Sequence, residues 1–84
     1  MLFRSYIDGD LVLNSTNITS LPDNLTINKG LFASNTLLNT IPNNLNIGES
    51  LYIRNTPLAN EYFKDEIRNM IIQKGGTLNG FINK

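Results

Sequence analysis

The 84-residue sequence predicts an α/β fold, a short solenoid in which strand-bearing coils of equal length stack and a helix covers the end. Three observations predict it. First, residues 9–28 (GDLVLNSTNITSLPDNLTIN) align without a gap on residues 29–48 (KGLFASNTLLNTIPNNLNIG). Six positions are identical: Leu11/Leu31, Thr16/Thr36, Pro22/Pro42, Asn24/Asn44, Leu25/Leu45 and Ile27/Ile47. Leu13/Ala33, Ile18/Leu38 and Leu21/Ile41 exchange one apolar residue for another. Second, a third copy starts at Glu49 and keeps Leu51, Ile53, Thr56 and Leu58. Third, beyond Leu58 the pattern changes from the two-residue period of strands to the longer period of a helix. The expected organisation is one domain over residues 1–84. It comprises an N-terminal strand cap (1–8), repeats at 9–28, 29–48 and 49–58, roughly two and a half in all, and a C-terminal helix with a short strand (59–84).

Within the first eight residues, Ile7 lies twenty before Ile27 and forty before Ile47, so the periodicity reaches back to it. Each repeat then opens on a strand in which the first and third residues point inward, as in Leu11-Val12-Leu13, Leu31-Phe32-Ala33 and Leu51-Tyr52-Ile53. The middle residues, Val12, Phe32 and Tyr52, point out. A turn rich in Asn and Ser follows, where Asn suits left-handed corners. The recurrent Thr16, Thr36 and Thr56 are expected to hydrogen-bond the backbone of the neighbouring coil. Pro22 and Pro42 bar a central strand or a helix interior, so the far side of each coil is expected to be irregular. Leu25-Thr26-Ile27 and Leu45-Asn46-Ile47 alternate again and lead into the next strand.

After the repeats, residues 60–74 read as one helix with Asn60 as N-cap and Phe63, Ile67, Met70 and Ile71 as its apolar stripe. Gly75 is the expected C′ residue. A last short strand is expected over 77–83, interrupted in character by Gly80.

The frame L-x-L-x-x-T-x-I-x-x-L-P-x-x-L-x-I, carried by Leu11, Leu13, Thr16, Ile18, Leu21, Pro22, Leu25 and Ile27, resembles a leucine-rich repeat. The Leu-Pro step and the 20-residue period are similar to the short bacterial subtype of secreted effectors and to small Thr-variant repeat proteins of bacteria and phages. Thr stands where the usual frame has Asn. The resemblance spans residues 9–58. It implies a right-handed solenoid that binds proteins, in one form a phage-encoded inhibitor of a host protein. The ubiquitin-ligase activity of some effector relatives needs a separate cysteine-dependent domain, and this chain has no cysteine.

Composition narrows the chemistry. With neither His nor Cys, the chain cannot build a Ser-His-Asp or Cys-His set or a thiolate metal site. No phosphate-loop glycine pattern occurs, and Asp8 with Asp10 is too sparse for a calcium loop. No catalytic, cofactor or metal residue is therefore expected, and an enzyme ranks last among the readings. Seven basic residues balance seven acidic ones, which argues against a nucleic-acid footprint. The first eight residues are too short and polar for a signal-peptide core, and no apolar run is long enough to span a bilayer, so the expected setting is cytoplasmic. What remains is a surface. Val12, Phe32 and Tyr52, flanked by Asn14, Ser34 and Arg54, form the expected contact row for a protein partner. The alternative is a self-assembling unit that associates through strand edges or through the same row.

Overall fold

The computed structural model describes residues 6–84. Among the described residues the fold is mixed α/β, with two parallel four-stranded sheets and two helices. One sheet runs β1 (Tyr6–Ile7), β3 (Thr26–Ile27), β5 (Asn46–Ile47), β7 (Thr77–Leu78). The other runs β2 (Leu11–Val12), β4 (Leu31–Phe32), β6 (Leu51–Tyr52), β8 (Ile82–Asn83). Leu11 pairs with Leu31 and Leu31 with Leu51, and likewise Ile7 with Ile27 and Ile27 with Ile47. Equal spacing along the chain thus becomes lateral register between strands.

Register places like beside like. The inward positions Ile27, Ile47, Leu31, Leu51, Ala33 and Ile53 are buried, with Leu25, Leu38, Leu45 and Leu58. Ile7, Leu11, Leu13 and Ile18 pack against this core while remaining partly exposed. Between the two strands of a coil the chain is irregular, as Pro22 and Pro42 require, yet its backbone is still paired across coils. Leu37 N donates to Ile18 O, Asn39 N to Thr19 O and Leu58 N to Leu38 O. Buried backbone groups need partners, and here an adjacent coil supplies them without a regular strand.

The corners explain two residue types. Ser15, Asn35 and Asn55 turn the chain after the second strand, and Asn24 and Asn44 turn it before the first, all with φ between 56° and 63°. Asn enters this left-handed region at low cost. The Asn side chains also link coils: Asn44 Nδ2 donates to Asn24 Oδ1 (2.7 Å) and Asn55 Nδ2 to Asn35 Oδ1 (2.9 Å). The threonines behave differently from expectation. Thr16, Thr36 and Thr56 each donate from Oγ1 to the carbonyl three residues earlier in their own coil (Leu13, Ala33 and Ile53, each 2.8 Å), not to the neighbouring coil. The hydroxyl closes a local turn, because the lateral carbonyls nearby already accept from main-chain N–H groups.

The expected helix over 60–74 is two helices, α1 (Pro57–Glu61) and α2 (Lys64–Gln73). Thr56, not Asn60, is the N-cap of α1, its Oγ1 accepting from Ala59 N (3.1 Å), and Pro57 follows at the first helical position. Phe63 caps α2, its N–H donating to the Glu66 carboxylate (2.8 Å). The break has a geometric cause. At roughly 100° per residue, a continuous helix would set Leu58 and Ile67 on opposite faces. Breaking at Tyr62 and Phe63 allows Leu58, Ala59, Ile67 and Ile71 all to be buried. Phe63, expected in the core stripe, is instead 76% exposed. The helix end is as the sequence suggests: Gly75 has φ 86°, its N–H donates to Ile72 O, and Gly76 N donates to Ile71 O, a Schellman motif.

The final segment forms two strands rather than one. After α2, β7 pairs with β5 and β8 with β6, so residues 77–83 lie as a further coil on the third. The offset between partners is here 31 residues, because the helices replace the irregular part of the third coil. Of the segment expected as an N-terminal cap, residues 1–8, Tyr6–Ile7 form β1, which pairs with β3 like any other strand; residues 1–5 lie outside the described residues.

Candidate functional site

Neighbouring strands of a sheet lie about 4.8 Å apart, so outward residues in register stand close enough for their side chains to stack. The register pairs are Val12 with Phe32, Phe32 with Tyr52, and Tyr52 with Asn83. The Phe32 and Tyr52 rings stack with centroids 4.4 Å apart and planes within 3° of parallel. Phe81, just before β8, then meets Tyr52 edge-on at 5.8 Å. Both are favoured aromatic geometries. Val12 is 62% exposed and Phe81 56% exposed, while Phe32 and Tyr52 are half-buried by their neighbours. The result is a continuous apolar strip across the outer face of one sheet.

The flanking residues have mixed roles. Asn14 Oδ1 accepts from Ser34 N (2.8 Å) and Ser34 Oγ accepts from Arg54 N (3.1 Å), so both side chains join coils. Arg54 is exposed at the same margin. Beyond it, Ser34, Asn35, Arg54, Asn55 and Lys84 border an open depression of about 590 Å³. Lys84 Nζ donates to Ala59 O (2.8 Å) and Tyr62 O (2.9 Å), which satisfies carbonyls at the end of α1. A second depression of about 320 Å³ follows the Thr and Asn corners from Thr16 to Asn60. Both are shallow and lined mainly by polar groups, unlike the concave apolar cups that hold small molecules.

The structure therefore brings Val12, Phe32 and Tyr52 together and sets Arg54 beside them, while Asn14 and Ser34 serve the scaffold. Phe81 was missed. The match of Thr77-Leu78-Asn79 to Thr26-Ile27-Asn28, with Ile82 at the same four-residue step from Leu78 as Leu31 from Ile27, marks the two last strands, but it aligns Asn83 and not Phe81 with Tyr52. Among the described residues, no cluster of three or more Asp and Glu side chains is placed to hold a metal, and no helix is long and apolar enough to cross a membrane. No family model, no curated protein and no solved structure matches this chain.

Proposed function

We propose that this chain is a short leucine-rich-repeat-like solenoid that acts as a non-enzymatic binding module. It engages a protein partner through the outer face of β2, β4, β6 and β8. Val12, Phe32, Tyr52 and Phe81 form the contact strip and Arg54 its charged margin. The observation that carries this reading is the Phe32–Tyr52–Phe81 cluster on an outward face. Folding asks only for inward apolar residues, and a contiguous apolar row left outside is the usual mark of a contact surface. Stacked aromatics with an adjacent Arg are also the residue types that dominate protein interfaces. An inhibitor occupying a host protein's surface in the cytoplasm is the form of this function that the repeat resemblance implies.

The test is affinity capture with the wild-type chain and with Phe32→Ala/Phe81→Ala, after circular dichroism has shown that both fold. Loss of the captured protein in the variant is expected, and equal capture would reject this face. Light scattering on the same pair decides whether the partner is a second copy, since self-association would give a mass that falls to the monomer in the variant.

A further inference from the structure

We propose that Asn79–Gly80 is a latent deamidation site that the fold holds closed. Asn followed by Gly is the pair most prone to internal ring closure, because no side chain on the second residue hinders the attack. The backbone nitrogen of Gly80 attacks Cγ of Asn79. The N–Cγ bond forms, the Cγ–Nδ2 bond breaks, and the amide proton leaves with ammonia. Water then opens the five-membered imide at either carbonyl and gives aspartate or isoaspartate.

The structure explains both why the pair is there and why it is quiet. Gly80 is imposed by packing, since a Cβ at this position would run into Ser50 Oγ and the Glu49 carbonyl. Asn79 is exposed, so water reaches its side-chain amide. The attacking group is not available, because Gly80 N donates to Glu49 O at 2.7 Å. Hydrogen bonds hold the main chain of the link on both sides. Asn79 N donates to Ile47 O (3.2 Å), and the Arg68 guanidinium of α2 bonds Leu78 O (3.0 Å) and Gly80 O (2.7 Å). Ring closure needs the Gly80 nitrogen to leave Glu49 and swing toward its own neighbour, which requires this clamp to open first. The same corner is Gly48-Glu49 one coil earlier, which has no side-chain amide, Asn28-Lys29 two coils earlier, where a side chain stands in the way, and Asp8-Gly9 three coils earlier, whose carboxylate has no amide to lose.

The consequence is structural. Isoaspartate would add one carbon to the main chain between Leu78 and Gly80. The four-residue step from Leu78 to Ile82 would no longer match that from Ile47 to Leu51, and β7 and β8 could not both stay in register. Phe81 O and Asn83 O, which accept from Leu51 N and Ile53 N, would be displaced.

The chain is incubated in mildly alkaline buffer, folded and in denaturing urea, and amide loss at Asn79 is followed by peptide mass spectrometry. Loss at Asn79 is expected to lead all other sites in urea and to be on the order of tenfold or more slower in the folded chain, since it then waits on local opening. Arg68→Ala is expected to speed the folded-state loss several-fold, and Asn79→Gln to abolish it. Hydrogen exchange at Leu51 and Ile53 is expected to quicken in the aged folded sample. Equal rates in folded and unfolded chain would overturn the closed gate, and absence of preference for Asn79 in urea would overturn the site. If Arg68→Ala does not fold, wild type in sub-denaturing urea replaces it, with a rate that must rise as the last coil opens. A folded Arg68→Ala chain that ages like wild type would remove the clamp from the account.

Discussion

The two sheets share a chain, a parallel strand order and an interior, yet face outward differently. Their inward rows are alike: Ile7, Ile27, Ile47 and Leu78 in one, Leu11, Leu31, Leu51 and Ile82 in the other. The outward row of the first sheet is Tyr6, Thr26, Asn46 and Thr77, in which Thr77 Oγ1 donates to Asn46 Oδ1 at 3.0 Å. That of the second is Val12, Phe32 and Tyr52, extended by Phe81. Both rows satisfy strand pairing equally well. The inward rows are constrained because they meet each other, so both must be aliphatic. The outward rows are free of that constraint and can differ, and on the proposed function the second is the one that meets a partner. A hydroxyl and amide row suits water, whereas a row of rings does not.

The largest effects test the shared interior. Ile27→Ala and Leu31→Ala occupy the same place in the two sheets and are each expected to cost about 2–5 kcal/mol in urea unfolding. A cost confined to one of them would break the claim that both sheets close one core. Next comes the corner threonine, which is buried in the third coil and exposed in the first. Thr56→Ala removes the N-cap of α1 along with the turn bond and is expected to cost about 1–3 kcal/mol, against under about 1 kcal/mol for Thr16→Ala. Similar values for the two would show that burial of this corner does not matter.

Smaller effects sharpen the contrast between outer faces. A double-mutant cycle on Phe32 and Tyr52 is expected to return a coupling of about 0.5–1.5 kcal/mol. The corresponding cycle on Asn46 and Thr77 is expected to return about 0.2–1 kcal/mol. The smallest stability change is expected for Thr26→Val, within about 0.5 kcal/mol. It should also leave partner capture untouched, whereas Phe32→Thr should lower capture while the chain stays folded. Loss of capture with Thr26→Val would move the contact surface to the other sheet.

Much of this was legible in the residues. The spacing of Leu11, Leu31 and Leu51, and the alternation around Val12, Phe32 and Tyr52, specify which side chains face in and which strands lie together. The Asn corners followed from the tolerance of that residue for left-handed backbone. The C-terminal third was less legible. A stripe at Phe63, Ile67, Met70 and Ile71 fits one helix, but a stripe records only local period. It does not record that Leu58 must also reach the core from the start of the same segment. Phe81 was hidden for a related reason, since 31 residues rather than twenty separate its coil from the one before.

By itself the sequence determined the unit: its length, its inward aliphatic rows, its corners and the outward line of Val12, Phe32 and Tyr52. These depend on neighbours one period away, and an unbroken period places such neighbours side by side whatever else the chain does. Only the tertiary structure decided how residues 57–84 close the end, where α1 gives way to α2, and that Phe81 completes the aromatic strip. Those features depend on burying several apolar groups at once against a surface already built, and no local pattern carries that geometry.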